Sequence, residues 1–174
     1  MASVILSVIG SDRPGLTEAL AGAVLAAGGN WLESHLSRLG GLYVGSVLVE
    51  LPAEGVEALR LGVRGVDAQG LEVRIAPAVE APGAGGQALQ FSLVGQDRPG
   101  IVRQVTAVLS ALNVNIEAFD TQITAEPHSG APLFQMEARL RLPPGLEAGG
   151  VQAALEEISA EIMVDISLTA AREL

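Results

Sequence analysis

The sequence predicts an α+β chain of two consecutive βαββαβ units, and three observations support this prediction. First, the segment Gly10–Gly15 (GSDRPG) recurs 85 positions later as Gly95–Gly100 (GQDRPG). Second, the same offset carries Asn30 onto Asn115. Third, the hydrophobic periodicity follows the same order of strand and helix patterns in both halves. An internal repeat of one small unit therefore accounts for the whole chain.

The first unit begins with an apolar, β-branched run from Ser3 to Ile9, which predicts a strand. Pro14 suits the first position of a helix, because its missing N–H group costs nothing there. Apolar residues then recur at helical spacing and predict one buried face, which the Gly28-Gly29 pair ends. These apolar residues are Leu16, Leu20, Val24 and Ala27.

A hairpin and a second helix complete the first unit. Asn30–Leu39 and Leu42–Leu51 are predicted strands joined by a turn at Gly40-Gly41, and Pro52 ends the second of them. A fourth strand is predicted at Leu71–Ile75, after Gly70. The helix between the third and fourth strands has its apolar face at Val56, Leu59, Val63 and Val66.

The second unit repeats this order with one difference, because a longer loop at Glu126–Pro132 replaces the Gly-Gly turn. Its two predicted helices are again marked by apolar spacing. Their inward residues are Ile101, Val105, Val108, Leu109 and Leu112 in the first helix, and Val151, Ala154, Leu155 and Ile158 in the second. The predicted strands are Ala88–Val94, Val114–Ala125, Leu133–Leu142 and Ile162–Leu168.

The segment 80–86 (EAPGAGG) is small, glycine-rich and unpatterned, which predicts a linker. We therefore expect a first domain at 1–79 and a second at 87–174. The element order of each is that of a ferredoxin-like unit, a four-stranded antiparallel sheet with two helices on one face. The other face would be available to a partner, and a homodimer is one arrangement that the sequence leaves open.

The composition limits the possible functions. The chain of 174 residues has a net charge of −10, with no lysine and no cysteine. These features argue against direct DNA binding and exclude disulfides, thiolate zinc sites, Schiff-base chemistry and a P-loop ATPase. No apolar run is long enough to span a bilayer, and no basic secretory signal precedes the first strand. We expect a soluble cytoplasmic protein without a cofactor.

Asp-Arg-Pro-Gly after the first strand and Asn at the start of the second strand resemble the ACT domain. Two such units with nothing else attached resemble the glycine cleavage system transcriptional repressor family. Asn115-Ile116-Glu117 adds to this resemblance, whereas Trp31-Leu32 stands where an Ile-Glu pair is more usual. The resemblance implies binding of a small effector, often an amino acid, between the first loop of one domain and the second strand of a paired domain. It also implies action through a LysR-type transcription factor, with glycine or a relative as the signal.

The repeated loop has the chemistry to hold an amino acid. A helix N-terminus attracts a carboxylate, and a glycine at Gly15 or Gly100 lets a ligand approach the backbone. Asp12 and Asp97 can accept hydrogen bonds from an ammonium group, while an asparagine offers a donor and an acceptor. The predicted ligand-binding residues are Asp12, Arg13, Pro14, Gly15, Asn30, Asp97, Arg98, Pro99, Gly100, Asn115 and Ile116.

Structural roles for the same residues have comparable weight. Asp12 and Asp97 can cap a helix, and Asn30 and Asn115 can end the preceding helix in a left-handed conformation. Exposed arginines such as Arg13 and Arg98 are more often solvated or paired with a neighbour than bound to a ligand.

The remaining polar and aromatic residues are assigned to structure rather than to a site. His35 and His128 do not predict a metal site without converging carboxylates. Trp31 and Tyr43 are expected to fill a core or an interface. Three carboxylates are expected on solvated surfaces: Asp120, Glu117 and Glu126.

Three functions follow from these patterns. The first is a ligand-responsive regulatory protein without catalytic activity. The second is a structural interaction module that binds no small molecule. The third is an acylphosphatase-like hydrolase that uses Arg13 and Asn30, although Pro14 removes a backbone amide that a phosphate cradle would need.

Overall fold

A computed structural model describes residues 1–79 and 85–171. The chain divides into two units, Met1–Ala81 and Pro82–Leu174. Residues 80–84 of the predicted linker lie outside the described residues, whereas Gly85 and Gly86 are described.

The first unit has the predicted βαββαβ order. Its four strands form one antiparallel sheet in the order β2-β3-β1-β4, and the hairpin strands have the predicted bounds. The elements are β1 Ala2–Ser11, α1 Leu16–Ala26, β2 Asn30–Leu39, β3 Leu42–Leu51, α2 Gly55–Asp67 and β4 Leu71–Pro77.

The second unit repeats this architecture, with a sheet in the order β6-β7-β5-β8, so the predicted fold class is confirmed. None of the helices within residues 1–79 and 85–171 is long and apolar enough to cross a membrane. The elements are β5 Ala88–Gln96, α3 Ile101–Ala111, β6 Asn115–Ala125, β7 Pro132–Arg141, α4 Ala148–Ile162 and β8 Val164–Ala170.

Each unit has a core between its sheet and its two helices. Alternate residues of β1, namely Val4, Leu6 and Val8, are buried in the core that contains Leu20 of α1 and Leu59 of α2. Among the described residues no buried position is polar or charged. The side of each sheet that carries no helix is called the open face below.

In both units the helix that follows the repeated loop begins after the glycine of the loop rather than at the proline. Pro14 was expected at the first helical position, but α1 begins at Leu16. Gly15 precedes it in a left-handed conformation with φ 90°, and Gly100 precedes Ile101 in the same way with φ 97°. The prediction was wrong because a left-handed residue separates the proline from the helix.

Two further boundaries differ from the sequence prediction. Asn30 and Asn115 were considered as left-handed helix ends, but each is the first residue of a strand. The left-handed residues are Gly28 and Asn113, with φ 72° and 54°. Ile162, expected in the last strand, is the last residue of α4, because Met163 at φ 52° ends that helix and β8 starts at Val164.

Replacing Gly15 by alanine should lower the free energy of unfolding by about 1 kcal/mol, because a side chain disfavours φ 90°. A Cβ atom there would have no neighbour within 4 Å, so backbone strain alone sets the loss. Urea unfolding followed by circular dichroism would measure it. The control is Gly22→Ala inside α1, where a Cβ also meets nothing within 4 Å. Gly22→Ala should instead raise the free energy of unfolding by about 0.5–1 kcal/mol. Equal effects of the two substitutions would contradict this account.

Candidate functional site

The repeated loop of the first unit lines a cleft at the start of α1. The cleft has a volume of about 340 Å³ and is lined by residues 12–17 and Tyr43. No side chain caps the N-terminus of α1. The N–H groups of its first turn are therefore available to an anion, in addition to the partial positive charge of the helix end.

Two polar pairs lie beside this cleft. Asp12 forms an ion pair with Arg38, with Oδ2 and Nε 3.1 Å apart. The hydroxyl groups of Thr17 and Tyr43 are 2.9 Å apart. Arg38 and Tyr43 are opposite each other on β2 and β3, so the hairpin positions both pairs. The interpretation of Asp12 as a helix cap was therefore wrong.

The loop of the second unit has the same motif in different surroundings. The backbone N–H of Asp97 donates to the carbonyl of Pro132 (3.2 Å), and Arg98 Nη2 donates to the carbonyl of Glu161 (3.3 Å). Arg98 therefore has a backbone partner, which is one of the two structural roles considered for it. Ile123 stands at the position equivalent to Arg38, and no side chain among the described residues pairs with the Asp97 carboxylate.

The hydroxyl pair of the first unit has no counterpart in the second. Repeat alignment and strand register place Val102 at the position of Thr17, and Phe134 at the position of Tyr43. The two copies of the loop therefore face different chemistry, polar in the first unit and apolar in the second.

Neither unit on its own brings its loop and its asparagine together. Asn30 and Ser3 both pair with Glu50, whereas the loop follows Ser11, eight residues farther along β1. At about 3.3 Å per residue the separation is roughly 26 Å. In the second unit, Asn115 lies at the corresponding end of the sheet. The hydrolase arrangement of Arg13 with Asn30 is consequently not formed within the first unit.

Asn115 and Ile116 line a different cavity, of about 510 Å³, between the end of α3 and the start of β6. Thr106, Ser110 and Asn113 contribute polar groups to its lining. The predicted residues of the first loop therefore line one cavity and Asn115 and Ile116 line another, whereas Asn30 and the second loop, residues 97–100, line neither.

A charged cluster in the second unit was not predicted. β6 has a bulge between Ile116 and Ala118, and Glu117 lies in it. The Glu117 carboxylate accepts hydrogen bonds from Arg139 Nε (3.1 Å) and Arg141 Nε (2.8 Å). Glu117 lies on an exposed face as expected, but its carboxylate is paired with two arginines, which was not predicted.

The electrostatics of the cluster follow from these contacts. The hydrogen bond from Arg141 lowers the pKa of Glu117 below its ordinary value. Burial raises this pKa by a smaller amount, and the hydrogen bond from Arg139 lowers it further. Arg141 Nη1 also donates to the carbonyl of Gly86 (3.3 Å), which joins the cluster to the residues that precede β5.

A sequence signal for this cluster was present. Arg139 and Arg141 are two apart and therefore share one face of a strand, while Glu117 lies near the start of that strand's hairpin partner. Antiparallel pairing brings the start of one strand beside the end of the other. The bulge, which turns Glu117 toward both arginines, was not visible in the sequence.

Other polar and aromatic groups have structural partners. His35 Nε2 lies 3.0 Å from a carboxylate oxygen of Glu33, and the Ser129 hydroxyl donates to Glu126. Within residues 1–79 and 85–171 no three side chains of the types that bind metals converge. Trp31 and Tyr43 pack against the core of the first unit, which confirms their predicted role as fillers.

Comparisons with known proteins agree with this architecture. The sequence pattern of the ACT domain family matches residues 2–76. The structure resembles that of an unknown protein from Galdieria sulphuraria, with a TM-score of 0.85 and 29% sequence identity, over 98% of this chain and 99% of that one. It also resembles a protein described as a candidate glycine cleavage system transcriptional repressor, with a TM-score of 0.70 and 14% identity, over 99% and 98% of the two chains. A search of curated proteins gives no match.

Replacing Glu117 by glutamine should destabilise the second unit by about 0.5–1 kcal/mol near pH 7, because the two arginines lose their carboxylate. A carboxyl group whose pKa is lowered on folding stabilises the protein above its unfolded pKa. This stability is lost as the pH falls through the folded pKa. The difference between wild type and variant should therefore shrink as the pH falls and vanish once Glu117 is protonated in the folded protein, as measured by urea unfolding at a series of pH values.

Glu137→Gln provides a control on the same open face. Glu137 accepts a hydrogen bond from Gln90 (3.2 Å) and has no ion-pair partner among the described residues. Glu137→Gln should lower the free energy of unfolding at neutral pH by less than Glu117→Gln does. A Glu117→Gln deficit that persists at low pH would contradict the ionic origin of the stabilisation.

Proposed function

Because the chain has a tandem ACT-like fold whose first unit matches the ACT domain family, we propose that it is a regulatory protein that binds an amino acid. In this proposal it controls transcription of glycine metabolism in the cytoplasm through a LysR-type transcription factor rather than by binding DNA, and it catalyses no reaction. The observation that carries the proposal is the cleft at the uncapped start of α1.

The lining of this cleft suits a zwitterion. The first-turn N–H groups of α1 can receive the ligand carboxylate. The Asp12 carboxylate is directed by Arg38 and can accept from the ammonium group. The hydroxyl groups of Thr17 and Tyr43 can each donate or accept. A volume of about 340 Å³ leaves room for a small amino acid together with water.

Charge supports a protein partner rather than a nucleic acid. The chain carries a net charge of −10, and its ten cationic side chains are arginines scattered over both units. Neutralising phosphates would require these arginines to gather on one surface. The candidate glycine cleavage system repressor with the same fold makes glycine the first effector to test. The family resemblance of the sequence makes a LysR-type activator the first partner to test.

One observation favours the alternative of a purely structural loop. Asp12, Thr17 and Tyr43 already have intramolecular partners in the structure. In that case the loop stabilises the hairpin of the first unit, and no amino acid occupies the cleft.

Thermal unfolding with each of the twenty amino acids would test the proposal. A ligand at a hundred times its dissociation constant stabilises by about 2.7 kcal/mol, which corresponds to a rise of roughly 5–10 °C. We expect such a rise with glycine or a close relative. No rise with any amino acid would contradict the proposal.

The variant Asp12→Asn separates the two interpretations. The Asp12–Arg38 pair is exposed, so its loss should change the unliganded midpoint by less than about 2 °C. If the loop binds the effector, the rise caused by the ligand should fall by at least half. With a purely structural loop, neither the wild type nor the variant would show a rise with any amino acid. Thr124→Val, at a half-buried position on β6 of the second unit, is a control that should preserve the rise.

A further inference from the structure

The solvent-facing side of the two helices in the first unit carries two prominent leucines. Leu25 of α1 is 75% exposed and Leu61 of α2 is 56% exposed. The other exposed apolar residues of these helices are small, so the leucines protrude above their surroundings. They are Ala21, Gly22, Ala26, Ala58, Gly62 and Gly65. These residues and the two leucines together are called the helix surface below.

The two leucines border the same part of the junction between α1 and α2. A Cβ atom on Gly62 would lie 3.3 Å from Cβ of Ala23, and one on Gly55 would clash with the carbonyl oxygen of Ala27. The helices therefore run antiparallel and in close contact. Each leucine is within two residues of a contact position, so both stand beside one shallow trough with a floor of small residues.

The second unit lacks this surface. The repeat offset aligns α1 with α3, and core positions of equal spacing align α2 with α4. These core positions are Leu59, Val63 and Val66 in α2, and Val151, Leu155 and Ile158 in α4. The resulting exchanges, from first unit to second, are Leu25 to Ser110, Leu61 to Ala153, Arg64 to Glu156 and Gly65 to Glu157. The same fold therefore forms without the two leucines, and their exposure calls for a partner.

The charges of α2 leave one cationic side chain unmatched. Arg60 lies 3.9 Å from a carboxylate oxygen of Glu57. The Asp67 carboxylate accepts a hydrogen bond from the backbone N–H of Val73 (2.7 Å). Arg64 has no charged partner among the described residues. A complementary partner therefore presents a carboxylate on the α2 side.

The other helix adds no charge near its leucine. The one charged residue of α1 is Glu18, in its first turn and about two turns before Leu25. The part of α1 that carries Leu25 is therefore uncharged, and a complementary partner is apolar on that side.

We propose that the helix surface binds an amphipathic helix of a partner protein, with its apolar side chains between Leu25 and Leu61 and a carboxylate directed toward Arg64. The backbones of α1 and α2 are hydrogen-bonded internally, so they offer no ladder to an extended peptide, whereas the small residues let a third helix approach. With 11 and 13 residues, the two helices are about 16 and 20 Å long, which matches three or four turns of a partner helix.

This inference rests on the proposed function, because it names the surface that the protein partner would contact. Its test uses the full chain without any amino acid, whereas the amino-acid response is tested by thermal unfolding. Failure of one can therefore be distinguished from failure of the other.

The test is a fluorescence-anisotropy titration of the full chain with two helical peptides of about 18 residues. Both carry leucines at positions i, i+3, i+4 and i+7. One has glutamates along the flank of the leucine stripe, and the other has glutamines at the same positions. We expect saturable binding of both, with the glutamate peptide about two- to fivefold tighter at low salt and the difference smaller at high salt.

Variants of the chain identify the surface. Leu25→Ser/Leu61→Ala installs the residues of the second unit and should weaken binding of both peptides at least about tenfold. Arg64→Gln should abolish the difference between the peptides while leaving the glutamine peptide bound. Met163→Gln, which removes a side chain 64% exposed in the second unit, is the control and should change neither affinity.

Gly65→Glu keeps the test decisive if the double variant fails to fold by circular dichroism. A Cβ atom there meets nothing within 4 Å, and glutamate favours a helix more than glycine does, so the fold should be retained. The new carboxylate beside Arg64 should weaken the glutamate peptide more than the glutamine peptide.

Three outcomes would overturn the inference. The first is no saturable binding up to about 1 mM peptide. The second is equal affinity in the wild type and in the folded variants of the helix surface. The third is a lower sedimenting mass of the chain in Leu25→Ser/Leu61→Ala than in the wild type, because a second copy would then occupy the helix surface.

Discussion

Burial of one face of each sheet beneath two helices is the interaction on which both units depend. The buried side chains alternate along the strands and meet leucines and valines of the helices, and no buried position among the described residues is polar or charged. Apolar burial is thus the main source of stability for each unit. Because the requirement falls on one face only, loops and open faces are left free to differ between the copies.

The two copies differ both in the surroundings of the loop and in the open face of the sheet. The first keeps its Asp-Arg-Pro-Gly loop beside an ion pair and a pair of hydroxyl groups, and the second surrounds the same loop with Ile123, Val102 and Phe134. The open faces also differ, because Leu32 and Leu48 of the first unit stand where the second unit carries Glu117 and Arg139. A ligand or partner therefore meets two non-equivalent surfaces presented on one repeated scaffold.

Most of the fold could be predicted because local signals agree with the tertiary structure. The hairpin strands Asn30–Leu39 and Leu42–Leu51 were predicted with their observed bounds, since a Gly-Gly turn and a proline mark their ends. Helix boundaries were less accurate, because left-handed residues such as Gly15 and Met163 depend on how the chain must turn to reach the sheet.

The site was less predictable than the fold because it depends on pairing between distant residues. The loop motif identified the cleft of the first unit, but neither Arg38 nor Tyr43 was expected beside it. Both lie there because the end of β2 and the start of β3 meet the end of β1 at the same edge of the sheet. The exposed face expected for Glu117 is found, but its pairing with Arg139 and Arg141 depends on the register between β6 and β7, which local patterns do not give.

The bulge occurs at equivalent positions in both copies, at Leu32 in β2 and at Glu117 in β6. Without the extra residue, Trp31 would directly precede Glu33 opposite the neighbouring residues Val49 and Leu48, so a regular strand would keep the later side chains on their present faces. The rest of the strand therefore does not depend on the bulge for its direction. What the bulge adds is one residue without a partner in the ladder, and this extra position holds a leucine in one copy and a glutamate in the other.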